Sequence, residues 1–168
     1  MQRRTLLKLT GGAVAVLVLA GGAASLVAPG LQDGALSSTG REVFRAVGFA
    51  VLDKTLPAQE GAREIALSGL LSRINALIAA LPLPTQAELS QLLALIGSAL
   101  GRRTVVGLGV DWSSASTFEV QQALESMRAS SLSLRQQAYA ALHEITAGAY
   151  FSDPSTWSVL GYPGPLKI

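Results

Sequence analysis

The 168-residue chain reads as an all-α protein: an irregular bundle of about five helices with an extended proline- and aromatic-rich C-terminal tail, preceded by an N-terminal signal helix. Three observations predict this class. From residue 40 to residue 150, apolar residues recur mostly at intervals of three and four, which places them on one face of a helix. Proline or glycine separates these periodic segments, and Ser/Thr-x-x-Glu boxes stand at the start of two of them. Setting aside residues 1–28 leaves 29–168 as a single helical domain, long enough to bury a sizeable core.

The first 28 residues have three physical parts. Met1 to Lys8 is a short basic region, Leu9 to Val27 is uncharged and rich in Ala, Val, Leu and Gly, and Ala28-Pro29-Gly30 leads into polar sequence. A basic start with an apolar stretch is common to secretory signals in general. The specific part is Arg3-Arg4-x-Leu6-Leu7-Lys8, which matches the twin-arginine export consensus. Gly11, Gly12, Gly21 and Gly22 dilute the apolar stretch, as that route tolerates. Cleavage after Gly22-Ala23-Ala24 would leave Ser25 as the new N-terminus. The uncharged stretch of 19 residues is also enough to span a bilayer, so an uncleaved leader would be a single-helix anchor with its basic residues on the cytoplasmic side. Both forms place the protein at or beyond the inner membrane, in the periplasm, with the twin-arginine translocase as a transport partner.

Thr39 is the expected N-cap of a helix from Gly40 to Lys54, with Val43, Val47, Ala50 and Val51 on one face and Leu56-Pro57 ending it. A second helix is predicted from Gln59 to Ala80, burying Ile65, Leu67, Leu70, Leu71, Ile74, Leu77, Ile78 and Leu81. Leu81-Pro82-Leu83-Pro84 breaks it, and Thr85 with Glu88 forms a capping box for a third, from Gln86 to Leu100. Its apolar positions are Leu89, Leu92, Leu93, Ile96 and Leu100, and Gly101 is the expected stop. Arg102 to Ala115 is the least regular stretch, with room for a short extended piece at Thr104 to Val106. Ser116-x-x-Glu119 opens a fourth helix to Ala129. Ser131 or Leu132 begins the fifth, with Leu134, Ala138, Ala141, Leu142, Ile145 and Ala149 on its buried face. The tail from Ser152 to Ile168 holds three of the seven prolines and cannot stay helical for long.

Charge and composition remove several function classes. The sequence pI of 9.3 suggests an anionic partner, but three of the 13 basic residues lie in the leader, while all 11 acidic residues lie at Asp33 or later. From Gly30 onward ten basic residues face eleven acidic ones, a net charge of −1, and no basic run with interleaved aromatics remains. Nucleic acid is therefore not an expected partner. There is no cysteine, which removes disulfides, iron–sulfur clusters, thiolate zinc sites and covalent haem attachment. The single histidine, His143, cannot chelate a metal as a pair, and no Glu-x-x-His serves a carboxylate di-metal bundle.

Other chemical candidates have simpler readings. Gly107-x-Gly109 lacks the third glycine and following helix of a dinucleotide-binding turn, and reads as a turn needing positive φ. Ser113, Ser114 and Ser116 have no nucleophile-elbow context. His143, with Tyr139 four residues before it, reads as a histidine at the edge of a core or interface rather than a general acid–base. No catalytic, cofactor-binding or metal-binding residue is assigned. The twin-arginine route carries folded proteins, often ones loaded with a cofactor, so a chain without a cofactor motif suggests an escort for a cofactor-bearing partner.

The end of the chain is unusual: Tyr150-Phe151-Ser152-Asp153-Pro154-Ser155-Thr156-Trp157, then Gly161-Tyr162-Pro163-Gly164-Pro165. Proline lowers the entropy of a free tail, and large aromatics supply the anchor area that dominates interfaces. Two compatible readings stand: the tail holds a partner, or it wraps over its own bundle with Trp157 plugging the core. Trp112, Tyr150, Phe151, Trp157, Tyr162, Pro163 and Pro165 are the candidate partner-binding residues.

These pieces together resemble the small, or gamma, subunit of bacterial membrane-associated flavin dehydrogenases, the gluconate 2-dehydrogenase subunit 3 family. The matching parts are Arg3-Arg4, Gly109-x-Asp111-Trp112, Ala138-Tyr139-x-Ala141-Leu142, Tyr150-x-x-Asp153-Pro154-x-x-Trp157 and Gly161 to Pro165. Some such subunits have cysteines in the mature part, whereas this chain has none. The resemblance implies a non-catalytic subunit that supports folding, co-export and stability of a large flavoprotein. That partner would be of the glucose–methanol–choline type, carry FAD, and oxidise an alcohol or sugar hydroxyl. Electrons would pass onward to a multihaem membrane cytochrome c or to quinone. The alternative from the residues alone is a free-standing exported helical binding or structural protein.

Overall fold

The computed structural model describes residues 28–162 and 164. Arg3, Arg4, Leu6, Leu7 and Lys8, expected to form an export signal, and the tail residues Pro163 and Pro165 lie outside the described residues. The fold is all-α, with five long helices at the positions where the periodicity predicts them and one small hairpin. Among the described residues no helix is long and apolar enough to cross a membrane.

Helical periodicity says nothing about residues 30–37, which form the hairpin. Strands β1 (Leu31–Gln32) and β2 (Ala35–Leu36) pair antiparallel, Leu31 opposite Leu36 and Gln32 opposite Ala35. Asp33 at φ 51° and Gly34 at φ 74° join them, the two successive positive φ values that a two-residue hairpin turn needs. The hairpin is tied to the bundle through its backbone. Leu36 N–H donates to Asn75 Oδ1 at 2.9 Å, Leu31 N–H to Ser90 Oγ at 3.1 Å, and Gly30 N–H to the Ser90 carbonyl at 3.3 Å.

Helix α1 (Ser38–Val51) starts two residues before the expected Gly40. Ser37, not Thr39, is the cap: its hydroxyl accepts from Gly40 N–H at 3.1 Å while donating to the Gly30 carbonyl at 3.0 Å. That second bond couples the cap to the hairpin and selects Ser37. The helix is the axle of the bundle. It packs against all four of the other long helices, so Phe44 and Ala46 are buried as well as the expected Val43, Val47 and Ala50.

Helix α2 (Glu60–Ala79) buries Leu67, Leu70, Ile74 and Ile78, as the spacing predicts. Ile65 is a correction, being 75% exposed. At about 100° per residue it points roughly 160° away from Leu67, on the opposite side of the helix. Helix α3 (Leu83–Gly97) begins three residues before the expected Gln86, with Pro82 as its cap and Pro84 in the first turn, where a missing N–H costs nothing. Thr85 therefore sits inside the helix, and the expected Thr85–Glu88 capping box does not form. Leu89, Leu93 and Ile96 are buried, but Leu100 lies past the helix end and is exposed.

Gly101 does not stop the chain. It belongs to a three-residue turn, α4 (Ala99–Gly101), that runs into a π-helical turn at Arg102–Val106 in place of the expected extended piece. The Arg102 carbonyl accepts from Gly107 N–H at 2.9 Å and Leu108 N–H at 3.0 Å, and Gly107 ends the turn at φ 86°. Arg135, farther along the chain, donates from Nε to the Val105 carbonyl at 2.7 Å. Helix α5 (Thr117–Arg128) has the predicted capping box, with the Ser116 hydroxyl accepting from Glu119 N–H and the Glu119 carboxylate accepting from Ser116 N–H at 2.8 Å. Helix α6 (Ser133–Phe151) buries Ala138, Leu142 and Ala149 as expected, with Leu134, Ala141 and Ile145 half-buried. A 3-10 helix, Pro154–Leu160, follows.

Candidate partner-binding surface

The sequence-predicted aromatics separate into two groups. Trp112 is 3% exposed and Tyr150 4% exposed, so both rings belong to the core rather than to an outer face. Trp112 Nε1 donates to the Ile96 carbonyl at 2.9 Å, satisfying a group near the end of α3 that the helix itself leaves open. Its loop is held by a 2.6 Å ion pair between the buried Arg102 guanidinium and the exposed Asp111 carboxylate. The Tyr150 hydroxyl donates to the Thr55 carbonyl at 3.4 Å, and burial pushes its phenol up from the ordinary range.

Phe151, Trp157 and Tyr162 form the second group, at the end of α6. Asp153 caps the 3-10 helix, its carboxylate accepting from Ser155 N–H at 2.9 Å. Hydrogen bonds from Ser155, helped by the Arg73 charge, hold the Asp153 carboxyl below its usual range. Arg73 on α2 joins the pieces: Nε donates to the Ala149 carbonyl at 2.7 Å, Nη1 pairs with Asp153 at 3.2 Å, and the guanidinium lies 5.9 Å from the Tyr150 ring centre. A cation at the last turn of α6 also complements the helix dipole.

Trp157 is half-buried and does not plug the bundle core. Its Nε1 donates to the Phe151 carbonyl at 2.8 Å, and its ring meets Tyr162 with centroids 5.3 Å apart. Tyr162 N–H donates to the Trp157 carbonyl at 3.2 Å, after Gly161 reverses the chain at φ 67°. The tail is thus folded on itself and on α6, with no buried residue in Pro154–Leu160. Val159, Leu160 and Tyr162 are 52%, 56% and 48% exposed. Val159 and Leu160 were not among the sequence candidates. Their signal is the uncharged run from Pro154 to Tyr162, which aromatic counting passes over.

The rest of the surface is shallow. Two adjoining clefts of about 220 and 170 Å³ share Phe49 and Thr117, between α1 and the start of α5. Arg45 lies 5.4 Å from the Phe49 ring centre and reaches both Glu64 oxygens at 2.6 Å. His143 is half-buried on α6, stacked on Tyr139 with ring centres 5.5 Å apart. Among the described residues no group of three or more His, Cys, Asp or Glu could hold a metal ion.

Among the described residues the fold is all-α, and the segment after α6 turns Val159, Leu160 and Tyr162 outward. No protein-family model, curated protein or solved structure matches the chain.

Proposed function

We propose that this chain is the non-catalytic small subunit of a periplasmic FAD-dependent alcohol or sugar dehydrogenase of the glucose–methanol–choline type. Its role is folding, twin-arginine co-export and stabilisation of the flavin-bearing large subunit. FAD belongs to that partner, and a membrane cytochrome c subunit or quinone takes the electrons. The support from sequence is the Arg3-Arg4-x-Leu6-Leu7-Lys8 leader and the family resemblance of the helical body and tail.

One structural observation supports the reading: several long polar side chains are used to hold the bundle and its tail together. Arg73 secures the tail, Arg102 the Asp111 loop and Arg135 the π-helical turn, while Glu119 caps α5 and Tyr150 bonds to Thr55. At the tail, the apolar side chains of Val159, Leu160 and Tyr162 face outward, a surface that suits binding.

The test is co-expression with the flavoprotein dehydrogenase expected in the neighbouring gene. Alone, the full chain carries no flavin; together the two purify as a yellow heterodimer. Changing Arg3 and Arg4 to Lys leaves both proteins in the cytoplasm. A flavoprotein that reaches the periplasm at normal levels without this chain overturns the escort role.

A further inference from the structure

We infer that the outward edge of the tail, Val159, Leu160 and Tyr162, is the contact that grips the flavoprotein, seated in an uncharged apolar depression on its surface; this rests on the function proposed above. The first ground is clustering. Single exposed apolar residues such as Ile65, Leu83, Leu100 and Leu132 are scattered over separate parts of the chain, as is ordinary for a protein surface. At the tail, three fall within four residues.

The second ground is order without burial. A 3-10 helix seldom runs beyond three or four residues, because its hydrogen bonds are poorly aligned. This one has seven residues, none of them buried against the bundle. Side chains fix it: Asp153 caps it, Arg73 ties the cap to α2, and the Thr156 hydroxyl donates to the Asp153 carbonyl at 2.7 Å. Trp157 braces the middle through Phe151 and Tyr162. The ring with most area is therefore an internal brace, and the smaller Val159 and Leu160 are held outward in one arrangement. Conformational freedom given up before association is not lost again on binding, so such an edge binds more tightly than a free tail of equal area.

The third ground is charge. Pro154 to Tyr162 contains no ionisable side chain except the Tyr162 phenol. The nearest acid, Asp153, is already paired with Arg73. A surface that adheres to anionic lipid is built with clustered Lys and Arg beside its apolar residues, and this edge has neither. Its complement is a neutral, concave protein surface.

The experiment uses the full chain co-expressed with the flavoprotein and compares the wild type with the double variant Val159→Ser, Leu160→Ser. Both side chains are exposed, so the thermal midpoint of the isolated variant should match the wild type. Its affinity for the flavoprotein should fall at least about tenfold, the loss expected when central anchors are removed. Trp157→Phe, which removes the bond to the Phe151 carbonyl but keeps the Val159, Leu160 and Tyr162 side chains, should weaken binding by less. A double variant that binds the flavoprotein with wild-type affinity overturns the inference while leaving the proposed function standing. A wild-type chain that fails to pair overturns the function itself, before any substitution is made. Sedimentation with phosphatidylethanolamine–phosphatidylglycerol vesicles is the last arm: vesicle binding lost in the double variant, with heterodimer formation unchanged, assigns the edge to lipid and overturns the inference.

Discussion

Two glycines in helical backbone should respond to the same substitution with opposite sign. Gly101 has φ −65° and ψ −37°, a conformation any residue adopts, so its freedom of φ is not why glycine stands there. A Cβ at Gly101 would run into the Leu95 carbonyl oxygen, with the Leu95 carbonyl carbon at 2.8 Å. The obstacle is main chain in the last turn of α3 and cannot swing aside as a side-chain tip can. Alanine gains up to about 1 kcal/mol over glycine in a helix interior, while overpacking costs roughly 1–3 kcal/mol. With backbone as the obstacle, the upper end of that range applies and Gly101→Ala should lose about 2 kcal/mol net. A Cβ at Gly148 on α6 meets nothing within 4 Å. Gly148→Ala should therefore gain about 0.5–1 kcal/mol. At roughly 2–4 °C per kcal/mol for a chain of this size, the thermal midpoints should move about 4–8 °C down and 1–4 °C up. Urea melts followed by helical circular dichroism, with an unchanged slope, convert those shifts to free energy. A Gly101→Ala protein as stable as the wild type would refute the close approach of α4 to α3.

Other consequences follow from the same packing. Trp112→Phe removes the bond to the Ile96 carbonyl and leaves unfilled space in the core; it should lower the unfolding free energy by about 2–3 kcal/mol in a urea melt. Tyr162→Ser, on an exposed ring, should stay within about 0.5 kcal/mol of the wild type. Because the Asp153 carboxyl is held below its usual range in the fold, its contribution to tail order is complete above about pH 4 and fades as pH falls through that lowered value. The Trp157 indole N–H resonance reports this, and Asp153→Asn should abolish the step; a step centred above pH 5 would sink the assignment.

How much of this was legible in the sequence varies by element. The five helices were, because burying one stripe imposes a repeat of three and four, and the Ser116–Glu119 box marked the start of α5 to the residue. The Thr85–Glu88 box has the same pattern and is not used, because Pro82 and Pro84 already start α3 upstream of it. Ile65 was misplaced because a list of apolar residues on a long helix does not by itself show which face each one takes. The hairpin had a readable signal, Asp33-Gly34 between Leu31-Gln32 and Ala35-Leu36. The π-helical turn had none, since its bond pattern depends on Arg135, some thirty residues away in the chain.

The candidate surface divided along a similar line. Aromatic identity alone groups Trp112 and Tyr150 with the tail residues, yet both satisfy main-chain carbonyls from inside the core. An aromatic with a polar handle suits a core or an interface equally. Only the partner each handle found separates the two.

The hairpin also puts a clock on synthesis. Leu31 waits for Ser90, 59 residues later in the chain, and Leu36 for Asn75, 39 residues later. At roughly 5–20 residues per second, a ribosome needs about 2–8 seconds to supply Asn75 and about 3–12 seconds to supply Ser90. Until then the strands have only each other, and a two-stranded hairpin alone is marginal in water. The two strands are thus made before the helices they dock on, and they settle only after Asn75 and Ser90 have followed. Docking of the hairpin on α3 therefore waits until more than half of the 168 residues have been translated.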